Sequence, residues 1–151
     1  MRRCLIVANQ TLTADTLSEA VEQRIAAESH EFYVVAPATP LGDEVDGPEA
    51  YVSLGPSPTE RAYALARQRL DRALDHLREL GATVDGEVGD PEPFEAVRVA
   101  LGRFAADEIA ISTLPQGVSH WLRRDLPARL RKGFGIPVTH LVADRDANAR
   151  A

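Results

Sequence analysis

The sequence contains a single cysteine, Cys4, so no disulfide can form within the chain. Cys4 lies in a short apolar run, where we expect a buried small hydrophobic residue rather than a reactive thiol. No apolar run approaches the roughly 18 residues of a membrane-spanning helix, which predicts no membrane segment. The run that follows Arg2 and Arg3 is too short for a secretory signal. We therefore expect a cytoplasmic protein.

Positive charge is also scarce. The 151 residues include 17 lysines and arginines against 23 aspartates and glutamates, which gives a net charge of −6. This balance argues against general nucleic-acid binding, although it leaves room for a local basic patch. The length is that of one domain with a substantial core, and the 44% share of hydrophobic residues is ordinary for a globular protein.

Apolar periodicity predicts an α/β fold. Four almost continuously apolar runs have the pattern of strands covered on both faces of a parallel sheet: residues 4–8, 32–36, 109–111 and 138–142. A weaker strand over residues 83–88 alternates with charged residues, which suits an edge. Three amphipathic stripes lie between the strands: Leu17, Ala20, Val21 and Ile25; Ala62, Ala66, Leu70, Ala73, Leu77 and Leu80; and Phe94, Val97, Leu101 and Phe104. The order predicts five parallel strands in a three-layer α/β/α sandwich.

One segment breaks this alternation. Residues 39–59 contain four prolines and three glycines. A connection of this length is unusual in a compact domain and is either a functional loop or a mobile one, and we favour mobility. Residues 144–151 have the composition of a polar tail. We therefore predict one domain over residues 1–143, with a flexible loop at residues 39–59.

Two turns fall where parallel sheets bind ligands, beyond the carboxyl ends of their strands. In the first, Asp90 follows Gly89 and is predicted to cap the next helix, with Pro91 at the first helical position. In the second, Pro127 cannot lie inside a continuous helix, so Asp125 is predicted to cap a helix over residues 126–132. Its carboxylate would then occupy the place where a helix start attracts anions.

The neighbourhood of Asp125 is the most basic part of the chain. Arg123 and Arg124 stand beside Asp125 and would offset its charge, and Arg129, Arg131 and Lys132 follow. Two interpretations stay open at this point. The cations form a solvated helix face, or they form a site for an anion or a partner.

These features together resemble the universal stress protein family over nearly the whole chain. The resemblance is carried by the order of strands and helices, the Gly-Asp-Pro turn at residues 89–91, and a final strand-loop-helix-strand unit with Gly-Ile-Pro-Val at residues 135–138. It implies a Rossmann-like fold of the adenine nucleotide α-hydrolase type, with strand order 3-2-1-4-5. It also implies a role in stress response and a homodimer, whereas the sequence identifies no further protein partner.

The nucleotide motif of that family is altered here. ATP-binding members carry Gly-x-x-Gly, nine spacers, and then Gly-Ser or Gly-Thr; with eight spacers, one fewer, the matching positions here are Ser112, Pro115, Arg124 and Asp125. Pro115 removes a backbone donor, Arg124 adds bulk, and Asp125 would repel a phosphate. We therefore expect weak or absent ATP binding and no cofactor, with ATP or AMP as the alternative ligand.

The resemblance also assigns the other positions of a nucleotide site. Asn9 stands where the family has an acidic residue, and the backbone of Val35 and Ala36 would face an adenine. Gly117 and Ser119 keep the small, polar character of the loop. The candidate nucleotide or anion site comprises Ala8, Asn9, Val35, Ala36, Gly89, Asp90, Ser112, Thr113, Pro115, Gly117, Ser119, Arg123, Arg124 and Asp125.

Catalysis is the least favoured of three functions. His120 is close in sequence to Ser112, Thr113 and Ser119, as a base would be to a nucleophile, but no Gly-x-Ser-x-Gly elbow is present. The histidines show no metal-ligand spacing, and His140 on an apolar strand is predicted to be a hydrogen-bonded core residue. We expect a regulatory or interaction domain without enzyme activity or metal. A nucleotide- or anion-binding module is the alternative, followed by a small α/β hydrolase.

Overall fold

A computed structural model describes residues 1–12, 14–38, 57–114, 121 and 125–143. Strands and helices alternate over this part of the chain: β1 (Arg2–Val7), α1 (Asp15–Ala27), β2 (His30–Pro37), α2 (Pro58–Glu79), β3 (Thr83–Gly89), α3 (Pro93–Leu101), β4 (Glu108–Thr113), α4 (Leu126–Phe134) and β5 (Val138–Val142). The five predicted strands are confirmed. Ser57, Pro58 and Thr59 were predicted in the loop, but Ser57 precedes α2 and the other two belong to it; residues 39–56 and the polar tail lie outside the described residues.

The sheet has the predicted order, β3-β2-β1-β4-β5, and its neighbouring strands are parallel. One face is covered by α1 and α2, whose Leu17, Val21 and Leu70 share a core cluster with β1 and β2. The other face is covered by α3 and α4, whose Val97 and Leu130 share a second cluster. The central strands are therefore buried on both sides, which explains their continuous apolar sequences.

Helix α2 shows how local sequence sets the limits of an element. It begins after Ser57, whose hydroxyl accepts a hydrogen bond from the backbone N–H of Glu60 at 3.2 Å. It ends before Gly81, which has a φ of +97°, and the N–H of Gly81 donates to the carbonyl of Arg78. Glycine tolerates this positive φ, so Gly81 ends the helix in a left-handed cap. Among the helices that the structure describes, none has the length and hydrophobicity of a membrane span.

The amino end of the sheet is held by an ion pair with little exposure to water. Arg24 of α1 donates two hydrogen bonds to Glu108 of β4, at 3.0 and 2.7 Å, and the hydroxyl of Thr139 donates a third at 2.6 Å. These donors lower the pKa of Glu108 to about 2, with the bond from Arg24 as the largest cause. Cys4 lies beside Glu108 in the register of β1 and β4 and is 1% exposed, as predicted. Burial, followed by the charge of Glu108, raises the pKa of Cys4 to about 12, so the thiol stays protonated.

We predict that Glu108→Gln destabilises the protein in a pH-dependent way. The folded-state pKa of Glu108 lies below its unfolded value, so its charge stabilises the fold above about pH 4.5, and this stabilisation disappears as the pH falls through about 2. Urea denaturation should show a loss of about 2 kcal/mol at neutral pH that shrinks across this window. The control is Glu22→Gln on the exposed surface of α1, which should change little. A loss for Glu108→Gln that is constant with pH would contradict the prediction.

Candidate functional site

The buried polar residues of the described chain gather at the carboxyl end of the sheet. They are Asn9, Thr11, Ser112 and Thr113, each at most 3% exposed. Asn9 and Thr11 follow β1, whereas Ser112 and Thr113 end β4. The strand order reverses between β1 and β4, and ligands of open parallel sheets bind at such a switch point. Buried polar atoms need hydrogen-bond partners, so the partners of these four residues determine what the site can bind.

Asn9 uses both ends of its side-chain amide within the protein. Its Nδ2 donates to the carbonyl of Pro37 at 2.7 Å, which ties the end of β1 to the end of β2. Its Oδ1 accepts from Nη1 of Arg69 on α2 at 2.8 Å. A carboxylate at this position could accept from Arg69 but could not donate to Pro37. An asparagine can therefore bond to both partners, because its amide both donates and accepts.

A second polar contact crosses the switch point. The Thr11 hydroxyl lies 2.7 Å from the Ser112 hydroxyl and donates to the Ser112 carbonyl at 3.2 Å. Because each hydroxyl carries one proton, Thr11 accepts from Ser112 Oγ while its own proton goes to the carbonyl. Ser112 therefore turns its side chain toward the loop after β1, at the position where the family motif has its first glycine.

His140 pairs with Thr113 beside this contact. The Nε2 atom of His140 lies 2.8 Å from the Thr113 hydroxyl. Burial, followed by the charge of Arg131, lowers the pKa of His140, which favours the neutral imidazole. The predicted hydrogen bond is confirmed, but the predicted core position is wrong. His140 is only half-buried because β5 is an edge strand.

The backbone positions assigned to an adenine are enclosed in the sheet. Val35 and Ala36 are both fully buried, and the carbonyl of Val35 accepts from the N–H of Ala8 at 3.3 Å. Ala36 lies opposite Val88 in the register of β2 and β3. The Val35 carbonyl is therefore already engaged by the neighbouring strand.

The turn after β3 differs from its prediction. Helix α3 begins at Pro93, and its cap is Glu92, whose carboxylate accepts from the N–H of Glu95 at 3.1 Å. Asp90 instead accepts from the N–H of Glu92 at 2.8 Å, so it shapes the turn before the helix. The prediction that Asp90 caps the helix with Pro91 at the first position is wrong. Glu92 takes the extended backbone that a residue before proline prefers, and Pro93 then starts the helix.

Gly89 has a packing role in the same turn. A side chain there would place its Cβ 2.7 Å from the Cβ of Ala96 and 3.0 Å from a methyl of Val35. Glycine thus allows the start of α3 to approach the sheet closely.

The start of α4 is also only partly as predicted. Asp125 precedes the helix and Pro127 lies in the first turn, but the carboxylate of Asp125 makes no capping hydrogen bond. Its backbone has a φ of +54°, whereas side-chain caps use an extended backbone. The backbone carbonyl of Asp125 still accepts from Arg129. The prediction of a side-chain cap is therefore wrong, although the predicted start of the helix is right and its end lies two residues later, at Phe134.

The rest of the predicted loop lies outside the described residues: Pro115, Gly117, Ser119, His120, Arg123 and Arg124. Trp121 is described and 6% exposed, and it belongs to the core cluster of α3 and α4. On the basic face of α4, Arg129 lies 3.6 Å from Glu92 and over the ring of Phe94. Within the described chain, no cluster of side chains could hold a metal ion.

Two site residues were missed by sequence reasoning, Thr11 and Arg69. Thr11 follows Asn9 by two positions, and a polar residue so close to a strand end is a signal that could have been used. Arg69 is one of several arginines flanking the apolar stripe of α2, and only the three-dimensional structure shows which of them reaches Asn9.

The fold and the polar switch point define a doubly wound α/β protein. No family model and no curated protein sequence matches this chain. Solved structures do match. A universal stress protein family member from Burkholderia pseudomallei has 18% identity and a TM-score of 0.59, with 91% of this chain and 93% of that one covered. One from Arabidopsis thaliana with AMP bound has 11% identity and a TM-score of 0.61, with coverage of 97% and 94%.

The universal stress protein from Archaeoglobus fulgidus, in complex with dAMP, has 17% identity and a TM-score of 0.56, with 93% of this chain and 97% of that one covered. The chain therefore has the universal stress protein fold, as the sequence resemblance implied. Its four motif positions, Ser112, Pro115, Arg124 and Asp125, lack the glycines of the nucleotide-binding pattern.

We predict that Asn9→Leu destabilises the protein by about 1–3 kcal/mol, because it leaves the buried Pro37 carbonyl without its donor. Urea denaturation at neutral pH measures the loss. Gln68→Leu on the exposed face of α2 is the matched control and should shift the free energy of unfolding by less than about 0.5 kcal/mol. Equal stability of the two variants would show that the Asn9 bridge contributes nothing.

Proposed function

We propose that this chain is a regulatory or interaction domain of the universal stress protein type that works without a bound nucleotide. The observation that carries the proposal is the hydrogen bonding of Asn9 within the protein. Its side-chain amide donates to the carbonyl of Pro37 and accepts from Arg69. A nucleotide approaching this end of β1 would have to replace those bonds. Breaking buried hydrogen bonds without equivalent replacement costs free energy, which weakens binding.

The Ser112 position supports the same conclusion. A glycine at the end of β4 would leave bare backbone for a phosphate or ribose. Ser112 is 1% exposed, and its hydroxyl and carbonyl are both bonded to Thr11. The first position of the nucleotide motif is therefore filled by a contact within the protein.

Asp125 adds an electrostatic obstacle at the far end of the motif. Its carboxylate is exposed and makes no capping bond to α4, so its charge is not used to neutralise the helix start. A phosphate near that helix would meet a like charge. Arg123 and Arg124 are adjacent in sequence, and they are the residues through which the alternative, an anion-binding module, would act.

The described residues favour a non-catalytic role. Thr113 and His140 lie within hydrogen-bond distance, as a nucleophile and a base would. However, Thr113 is 2% exposed, so a substrate has little access to its hydroxyl. We also propose a role in stress response, a homodimer and a cytoplasmic location, which are what the sequence resemblance to universal stress proteins implies.

We expect titration with AMP or ATP to give no saturable binding at concentrations up to about 1 mM. The fluorescence of Trp121 is a suitable readout because this residue is the only tryptophan in the sequence and lies between β4 and α4 along the chain. The Arabidopsis protein, whose structure contains AMP, serves as the positive control in calorimetry. Saturable binding to the wild type with a Kd well below 1 mM would overturn the proposal.

The contribution of Asp125 can be tested separately with Asp125→Ser, which replaces the carboxylate by a neutral hydroxyl. Removal of the negative charge should raise any residual affinity for ATP or sulfate. Weaker binding by the variant would show that the carboxylate does not repel anions at this position.

A further inference from the structure

Thr113 and His140 join the last two strands of the sheet at its carboxyl end. Thr113 is the last residue of β4, and its hydroxyl lies 2.8 Å from Nε2 of His140 on β5. The carbonyl of Thr113 accepts from the N–H of Ala143, which follows β5, also at 2.8 Å. Both the side chain and the backbone of Thr113 are therefore bonded to the end of the neighbouring strand.

The direction of the hydroxyl bond follows from the burial of Thr113. This residue is 2% exposed, so its hydroxyl proton needs an acceptor within the protein. In the described part of the chain, the hydrogen-bond partner of the hydroxyl is Nε2 of His140. A neutral imidazole accepts at Nε2 when its proton is on Nδ1, whereas a protonated imidazole carries donors on both nitrogens. A bond donated by Thr113 therefore requires a neutral histidine.

Positive charge lies on the helix that faces His140. His140 is paired with Ile111 of β4, so its side chain points to the face of the sheet that α4 covers. Arg131 of α4 donates to the carbonyl of Val138, two residues before His140, at 3.3 Å, and Lys132 follows it at an exposed position. Burial, followed by the charge of Arg131, lowers the pKa of His140. The surroundings thus favour the neutral imidazole.

The ion pair on the other face of the sheet does not change this balance. The side chain of Thr139 points away from that of His140 and donates to Glu108 of β4. Glu108 also accepts two hydrogen bonds from Arg24 of α1. These charges are bonded to each other on the opposite face, whereas β4 presents the neutral Thr113 to His140.

We propose that the bond from Thr113 to His140 is a pH-sensitive contact that joins the ends of β4 and β5 at neutral pH and releases them in acid. A proton on Nε2 removes the acceptor and leaves the buried hydroxyl of Thr113 without its partner. It also places a second positive charge near Arg131. This corner of the sheet then opens locally, whereas the apolar core stays folded. The inference does not depend on whether the chain binds a nucleotide.

Hydrogen exchange at the amide of Ala143 tests the proposal. The folded-state pKa of His140 lies below its ordinary value of 6.5. The stability added by the neutral contact is therefore complete above about pH 6.5 and is lost as the pH falls from there through the folded-state pKa. The protection factor of this amide, relative to that of Ile6 in β1, should fall at least about threefold between about pH 7.5 and about pH 4.5. A ratio that stays constant with pH overturns the proposal.

His140→Gln identifies the titrating group. Glutamine keeps a neutral acceptor and cannot be protonated in this range, so the variant should lose the pH dependence of the Ala143 protection ratio. His76→Gln, at an exposed position of α2, is the matched control and should keep it. The same pH dependence in His140→Gln as in the wild type would assign the effect to another group and overturn the proposal.

Thr113→Val tests the direction of the bond, because it removes the hydroxyl and leaves a side chain of similar shape. Loss of a donor to the neutral imidazole should raise the pKa of His140, which NMR titration of its ring protons measures. An unchanged or lower pKa in this variant would show that the hydroxyl does not stabilise the neutral form, and the proposal would be wrong.

Discussion

The carboxyl end of this sheet is governed by the need to satisfy buried polar groups. Asn9, Thr11, Ser112 and Thr113 are closed off from water, and each has a partner from another element. These contacts join the ends of β1, β2, β4 and β5 and draw in α2 through Arg69. In a protein that binds a ligand at the switch point, some of these groups would be kept for the ligand. In this chain, these polar groups form hydrogen bonds with other parts of the protein.

The packing requirements of the core explain why this chain shares the fold of universal stress proteins while its candidate site differs from their nucleotide motif. Strands β1 and β4 need apolar residues because helices cover both faces, and this requirement does not depend on what lies beyond the strand ends. Structural neighbours at 11–18% identity therefore share the sheet and its order. A change from acid to amide at Asn9 or from glycine to serine at Ser112 alters the chemistry of the edge and leaves the core unchanged.

The strands, the helices and the cap at Gly81 could be predicted because they depend on local patterns: apolar periodicity and a residue that tolerates positive φ. The cap of α3 could not be assigned, since Pro91 and Pro93 each suit a first helical position and only the backbone at Glu92 decides between them. Asp125 had the residue type of a cap but not the backbone of one. The contact of Arg69 with Asn9 joins residues 60 positions apart, beyond the reach of any local pattern.

The ion pair of Arg24 and Glu108 lies at the opposite end of β4 from Ser112 and Thr113. Thr113 lies five positions after Glu108 along the strand, roughly 16 Å away. This largely buried ion pair is therefore remote from the ligand edge. Such a separation gives the protein evolutionary freedom: substitutions can remake the recognition chemistry at one end of the sheet without weakening the anchor at the other.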